Sequence, residues 1–231
     1  MKQIKNGIAY TPDSVIIENL REIQQIRFLS ESTFVIRFNR DNLQFKAGQF
    51  LAIGTKDSMQ QREYSIYSGD EDDYLEILVR EITNGNVSQL LKQCEVGQSL
   101  MVTGPLGLMM LNDEDINTKR FVFIASGTGI APFHSFVTSY PTINYNIIHG
   151  VRFINEAYDK ADYDPLRYFV CTSRENSGNY YGRVTGFLKD YLVEPDMLFY
   201  LCGNSSMIYE VYDILKQKGV PIENIKTEVY F

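Results

Sequence analysis

The feature that most constrains this fold is a change in hydrophobic periodicity near the middle of the chain. Between about residues 22 and 112, apolar and polar side chains alternate in short runs such as TFVIRFN and YLEILVREI. Turn-forming segments such as NRDN and SGDEDD separate these runs. Short alternating strands at close spacing are typical of an antiparallel barrel. We therefore predict such a barrel, interrupted by one helix over about residues 87–94.

After the polar segment NDEDINTK, short apolar runs alternate with helical segments. The runs are RFVFIASG, YNIIHGVR, LRYFVCTSR and MLFYLCG. Strands that are apolar on both faces, with helices between them, are typical of a parallel sheet. We predict two domains: residues 1–115, in which 1–21 form a helix or a loosely attached arm, and an α/β domain over 116–231.

Composition excludes several classes of function. The 231 residues carry a net charge of -7, which disfavours non-specific binding to nucleic acid or to an anionic membrane. Cys94, Cys171 and Cys202 lack the spacing of a zinc site, an iron–sulfur cluster or a disulfide framework. There is no signal-peptide pattern and no apolar run of about eighteen residues. We expect a cytoplasmic protein without metal, nucleic-acid partner or membrane insertion.

A glycine pair in the second half indicates a nucleotide site. The segment IASGTGIAP places Gly127 and Gly129 where a strand passes into a helix. Glycine there lets the backbone approach a ligand, and the helix N-terminus offers N–H groups to phosphate. Pro132 replaces the third glycine of the GxGxxG fingerprint. The pair by itself fits an ordinary strand-to-helix turn equally well.

Three arginines point to an anionic ligand at the same edge. Two predicted strands end in Arg152 and Arg174, and Arg183 follows in YYGRVTG. The carboxyl ends of parallel strands line the ligand crevice of such sheets. Three guanidinium groups there predict a dianionic group, such as the 2′-phosphate that distinguishes NADP from NAD. The alternative for each is a solvated surface arginine.

The segment REYSIYS places Arg62 and Tyr64 on one face of a strand by alternation. It belongs to an ordered series of motifs that resembles the ferredoxin–NADP⁺ reductase family, in its bacterial branch. The series spans about residues 22 to 231 and consists of FKAGQF at 45–50, REYS at 62–65, GNVS at 85–88, GTGIAP at 127–132, TSR at 172–174, CGN at 202–204 and the terminal EVYF.

The resemblance implies FAD on a six-stranded antiparallel barrel and NADP(H) on a Rossmann-like domain. Arg62 would hold the flavin's phosphate, Tyr64 would lie against the isoalloxazine, and Ser65 would bond near its N5. Backbone N–H groups would face the FAD pyrophosphate from Gly85, Asn86, Val87 and Ser88. Alternation turns Ser65 away from Tyr64, so we expect a bulge, a strand end or a backbone contact at Ser65.

The resemblance also implies the NADP site and the catalytic residues. The NADP residues would be Gly127, Thr128 and Gly129 at the pyrophosphate, Arg152, Ser173, Arg174 and Arg183 around the 2′-phosphate, and Cys202 and Gly203 near the nicotinamide. Tyr230 would stack on the flavin as a movable lid, and Phe231 would pack on the FAD adenine. The catalytic set would be Ser65, Cys202, Glu228 and Tyr230.

These residues predict an NADPH-dependent flavoenzyme that exchanges electrons with ferredoxin or flavodoxin. Hydride transfer needs positioning rather than a general acid, which fits the lack of a catalytic triad. His134 and His149 are expected to be ordinary packing or surface residues. The alternatives are an NAD(P)H-dependent flavin reductase, a reductase serving a cytochrome or an oxygenase, and, more remotely, a non-catalytic nucleotide-binding module.

Overall fold

The computed structural model describes residues 3–5, 8–10, 17–58 and 60–230. They divide into two compact units, one drawn from Met1–Met110 and His134–Ser139 and the other from Leu111–Phe133 and Tyr140–Phe231. No helix among the described residues is long and apolar enough to cross a membrane.

The first unit is built on a six-stranded antiparallel sheet. Its strands are β3 (Ile17–Phe28), β4 (Thr33–Asn39), β5 (Phe50–Thr55), β6 (Arg62–Ser65), β7 (Tyr74–Arg80) and β8 (Ser99–Leu106), in the order β6-β5-β8-β3-β4-β7. A bridge between Ile66 and Ile77 joins the two ends of the sheet, and the Tyr67 N–H donates to the Glu76 carbonyl at 2.7 Å. The sheet therefore closes on itself, and the predicted antiparallel barrel is confirmed.

Alternation explains the core of this barrel. Phe34, Ile36 and Phe38 of β4 are fully buried and pack with buried residues of the other strands. The barrel's helix, α1, runs over Asn86–Lys92 and buries Val87 and Leu91. Ahead of β3, strands β1 (Gln3–Lys5) and β2 (Ile8–Tyr10) form an antiparallel pair where the sequence left a helix or an arm open.

The second unit is an α/β fold around a six-stranded, wholly parallel sheet. Its strands are β9 (Arg120–Ser126), β10 (Tyr145–Val151), β11 (Tyr168–Thr172), β12 (Tyr180–Tyr181), β13 (Met197–Asn204) and β14 (Ile225–Tyr230), in the order β12-β11-β10-β9-β13-β14. Its helices are α2 (Asp113–Ile116), α3 (Ala131–Ser139), α4 (Val184–Asp190) and α5 (Ser205–Gln217). The parallel sheet is confirmed, with β12 and β14 beyond the four strands that the apolar runs predicted.

Helix α3 contributes to both units. It begins after a 3₁₀ turn over Gly127–Ile130, and its last six residues, His134–Ser139, belong to the first unit. Within that unit the Ser135 hydroxyl donates to the Ser68 carbonyl at 2.7 Å, and the His134 ring stacks on Tyr67 at 3.8 Å between centroids. His134 is therefore a buried packing residue.

Candidate functional site

In the first unit, β6 presents a cation beside a phenol. Arg62 is exposed, and its one hydrogen bond among the described residues goes from Nη1 to the Gln61 carbonyl at 2.9 Å. Tyr64 is partly buried and packs against the barrel core. Burial raises the pKa of Tyr64 to about 12, and nearby Arg62 acts against that rise. The two groups interact as alternation predicts, and no described carboxylate neutralises the cation.

Strand β6 ends at Ser65, which pairs with Phe50 across the sheet. The side chain of Ser65 is buried, whereas that of Tyr64 is partly exposed. The expected strand end is thus present. The assignment of Ser65 to the flavin N5 stays a prediction.

A helix N-terminus lies close to this strand in the same unit. Gly85 caps α1 with extended backbone, and the first N–H groups of a helix have no acceptor within it. The amide nitrogen of the Asn86 side chain lies 3.4 Å from Oε1 of Gln60, so the turn adjoins the residues that lead into β6. The cation of Arg62 and these N–H groups together form an arrangement suited to a phosphate-containing ligand.

The side chains of Val87 and Ser88 stabilise the barrel. Val87 belongs to the barrel core, and the Ser88 hydroxyl accepts a hydrogen bond from the Ile82 N–H at 3.1 Å. Only backbone N–H groups of Val87 and Ser88 are then suited to a ligand. Their role at the FAD pyrophosphate, which the family resemblance implies, stays a prediction.

In the second unit, the glycine turn is shaped by the neighbouring strand. A Cβ on Gly129 would lie 2.4 Å from the carbonyl oxygen of Cys202. Gly203 has φ +132, and a Cβ there would lie 2.3 Å from the Ser126 hydroxyl. These two glycines are therefore required by close packing between the ends of β9 and β13, a reason that the sequence reasoning missed. Gly127, at φ +55, opens the turn in the left-handed region.

A buried histidine contacts this turn, and the sequence analysis assigned it no functional role. His149 on β10 is fully buried; its Nε2 lies 2.8 Å from the Gly127 carbonyl and its Nδ1 2.7 Å from the Tyr168 hydroxyl. Desolvation lowers the pKa of His149 to about 4. The sequence signal was a polar residue inside the otherwise apolar run YNIIHGV.

The predicted arginines do meet at one edge of the sheet. Arg152 follows β10 and Arg174 follows β11, and the Arg174 N–H donates to the Arg152 carbonyl at 3.0 Å. The Ser173 N–H donates likewise to the Val151 carbonyl, and Arg183 is the N-cap of α4, two residues after the end of β12. The side chains of Arg174 and Arg183 are exposed and have no carboxylate partner among the described residues. Both are available to an anion.

Arg152 differs from the other two arginines. Its Nε donates to Oε1 of Glu156 at 2.9 Å, Nη2 contacts the same oxygen, and its backbone N–H donates to Oε2 at 2.8 Å. These hydrogen bonds raise the pKa of the Arg152 guanidinium further. Close by, Glu175 accepts from the Ile154 N–H and the Ser177 hydroxyl, which lower its pKa. The edge therefore contains two carboxylates that the sequence reasoning did not anticipate.

A third group of predicted residues lies on β13 and β14. Cys202 pairs with Glu228 in the sheet register, with 4.0 Å between Sγ and Oε2, and the Tyr230 side chain also bonds to the thiol. Cys202 is fully buried, and desolvation followed by the Glu228 charge raises its pKa well above the usual range. Cys202 is therefore a neutral thiol. Phe231 lies outside the described residues, and no metal-binding cluster occurs among the described ones.

Comparisons with known proteins agree with this architecture. Residues 21–110 match the family described as the oxidoreductase FAD-binding domain. The chain is 27% identical over 230 residues to a flavodoxin/ferredoxin–NADP reductase of Buchnera aphidicola subsp. Schizaphis graminum, covering 85% of this chain and 90% of the relative. It is equally similar, 27%, to the electron transfer component of toluate 1,2-dioxygenase of Pseudomonas putida, covering 90% of this chain but only 66% of that protein.

Among solved structures, the chain resembles a ferredoxin NADP⁺ reductase from Neisseria gonorrhoeae with bound FAD and NADP. The TM-score is 0.81 at 23% sequence identity, covering 93% of this chain and 99% of the other. At that identity the likeness establishes the fold. That structure therefore shares the fold of this chain over most of its length.

Proposed function

The chain belongs to the ferredoxin–NADP⁺ reductase family, and from this premise we propose that it is an FAD-containing oxidoreductase. It passes hydride between NADP(H) and its flavin, and single electrons between the flavin and a protein partner. The observation that carries the proposal is the pair on β6: Arg62, an exposed arginine without a carboxylate partner among the described residues, beside Tyr64, a partly buried phenol. A cation and a flat ring together suit a cofactor that has both phosphate and an aromatic system.

The residues of the first unit fit FAD. Arg62 would bind a phosphate of the cofactor, and the backbone N–H groups at the start of α1 would bind its pyrophosphate. Tyr64, partly buried against the barrel core, would pack its flat ring on the flavin. Bound flavin supplies hydride and one-electron chemistry that side chains lack.

The residues of the second unit fit NADP(H). The turn that begins at Gly127 would hold the pyrophosphate, while Arg174 and Arg183 would bind the 2′-phosphate through charge-assisted hydrogen bonds. Cys202, as a neutral buried thiol, would offer a polarisable surface without adding charge. The catalytic assignments of Ser65, Glu228 and Tyr230 stay predictions, as does the contact of Phe231 with adenine.

Ferredoxin or flavodoxin is the partner that we propose. The support is the match to the Buchnera reductase, which this chain covers almost from end to end. An oxygenase is the second candidate, because the toluate dioxygenase component is equally similar over the part it shares with this chain. We place the protein in the cytoplasm, where its free thiols Cys94, Cys171 and Cys202 would persist.

The proposal is tested on purified protein with a cofactor assay and an acceptor panel. We expect a yellow protein whose extracted flavin is FAD, and flavin reduction that is faster with NADPH than with NADH. Ferredoxin, flavodoxin, an oxygenase component and free flavin are then compared as acceptors at equal concentration. A colourless protein that reduces only added free flavin would refute the proposal in favour of a flavin reductase.

A further inference from the structure

The buried histidine behind the glycine turn has a defined arrangement of protons. A backbone carbonyl only accepts hydrogen bonds, so Nε2 of His149 carries the hydrogen that meets the Gly127 carbonyl at 2.8 Å. Nδ1 of a neutral imidazole is then an acceptor, and the Tyr168 hydroxyl donates to it at 2.7 Å. Each of the three groups is satisfied in this arrangement. The opposite tautomer would set a lone pair against the carbonyl.

This contact acts on the peptide that opens the turn. In a trans peptide the carbonyl of Gly127 and the N–H of Thr128 point in opposite directions. A carbonyl held against the buried imidazole therefore directs the Thr128 N–H away from His149. Thr128 is partly exposed, whereas His149 is fully buried. Gly127, at φ +55, has no Cβ that would resist this orientation.

We propose that His149 is a positioning residue for the dinucleotide's pyrophosphate. It fixes the plane of the Gly127–Thr128 peptide so that the Thr128 N–H faces the anion, and Tyr168 selects the tautomer that makes this possible. The inference rests on the proposed function, because it deepens the role of the same turn. The ligand is a dinucleotide that carries a diphosphate group. Its separate 2′-phosphate would be bound by Arg174 and Arg183.

The test compares two ligands on FAD-loaded, full-length protein by calorimetric titration. NADP⁺ carries the pyrophosphate, whereas adenosine 2′-monophosphate carries only the 2′-phosphate that Arg174 and Arg183 would bind. His149→Leu should weaken NADP⁺ binding about tenfold, since it removes the imidazole N–H that holds the Gly127 carbonyl. Binding of adenosine 2′-monophosphate should change less than about twofold.

Matched variants separate positioning from general damage. His149→Gln places an amide N–H near the position of Nε2 and should retain NADP⁺ affinity within about threefold of wild type. Tyr168→Phe permits the wrong tautomer and should give a loss between those of the Gln and Leu variants. Val170→Ala removes a fully buried side chain that pairs with His149 across the sheet. It should lower stability while the ratio of the two affinities stays that of wild type.

The outcomes are distinct. NADP⁺ affinity unchanged in His149→Leu, or equal losses for both ligands, would overturn the positioning role while the proposed function stands. A Gln variant that binds NADP⁺ more than about threefold more weakly than wild type would also overturn it, and this result, together with that of Tyr168→Phe, decides the matter if His149→Leu does not fold. Wild-type protein that binds neither ligand would overturn the proposed function and this inference together.

Discussion

The two regions that we propose to bind anions are built in different ways. In the first unit, one exposed arginine on β6 and the first turn of α1 form the region, and no described carboxylate opposes the cation. In the second unit, side chains from several strand ends meet, and Arg152 is already bonded to Glu156. The comparison teaches that the number of arginines at an edge overstates the positive charge available there.

The regions also differ in how tightly their glycines are packed, and substitution by alanine exposes this difference. A Cβ on Gly129 meets the Cys202 backbone at 2.4 Å, which cannot move without displacing β13. At Gly85 the nearest atoms, Cβ of Ile82 and Oγ of Ser88, are 3.0 Å away. We expect Gly129→Ala to destabilise the protein by about 3 kcal/mol or more and Gly85→Ala by about 1 kcal/mol.

Thermal unfolding followed by far-UV circular dichroism measures both variants. Gly219→Ala measures backbone strain without a steric clash, because its φ is +84 and nothing lies within 4 Å of the added Cβ. Equal losses of stability in Gly129→Ala and Gly85→Ala would show that both turns tolerate an added Cβ equally and would contradict this difference between the regions.

Acid should destabilise the second unit through His149. Burial lowers its folded-state pKa to about 4, whereas an unfolded histidine has its usual value near 6.5. The unfolded state therefore binds the proton first as the pH falls. The contribution of neutral His149 to the free energy of unfolding is fully present above about pH 6.5. It declines by at most about 3 kcal/mol as the pH falls to about 4.

Denaturant unfolding between pH 4 and 7 measures this slope, and His149→Gln should remove most of it. The neighbouring charge of Glu156 opposes the lowering of the His149 pKa. The measurement is therefore the difference in unfolding free energy between wild type and His149→Gln at each pH. In the first unit, Tyr64 stays neutral throughout this range because its pKa is about 12. Parallel curves for wild type and the Gln variant would contradict the prediction.

The cation of the first region should matter more to its ligand than any single arginine of the second. Arg62→Ala removes a charge-assisted contact of about 2 kcal/mol and should weaken FAD binding roughly thirtyfold. Retained flavin after gel filtration, followed by fluorescence titration of apoprotein, measures the loss. Glu63→Ala, at the adjacent exposed position of β6, is the matched control and should retain FAD. Equal FAD loss in both variants would point to damage to the strand.

The smallest expected effect is a difference in coenzyme preference between two arginine variants of the second region. Arg174→Ala should lower the NADPH/NADH ratio of kcat/KM about tenfold, because its guanidinium has no carboxylate partner among the described residues. Arg152→Ala should lower the ratio only about twofold to threefold, because Glu156 already occupies one edge of that guanidinium. Similar losses in both variants would restore Arg152 as an equal ligand, as the family resemblance implies.

Local pattern was sufficient for much of the fold and for part of the site. The run TFVIRFN predicts a strand that the structure has over Thr33–Asn39, where Phe34, Ile36 and Phe38 alternate along one buried face, although Thr33 and Val35 on the other face are buried as well. The same alternation placed Arg62 beside Tyr64. It missed β14, whose sequence IKTEVY lacks the apolar run expected of a central strand; β14 lies at the edge of the sheet, where such a run is not required.

The sequence by itself determined the two classes of sheet, the strand ends that bring arginines to one edge, and the glycine turn. Only the tertiary structure decided which of those groups are free to act. Arg152 is bonded to Glu156, Gly129 is pressed against Cys202, and His149 holds the Gly127 carbonyl. The reason is physical: periodicity follows from neighbours along the chain, whereas ion pairing and close packing depend on distances that only the folded backbone sets.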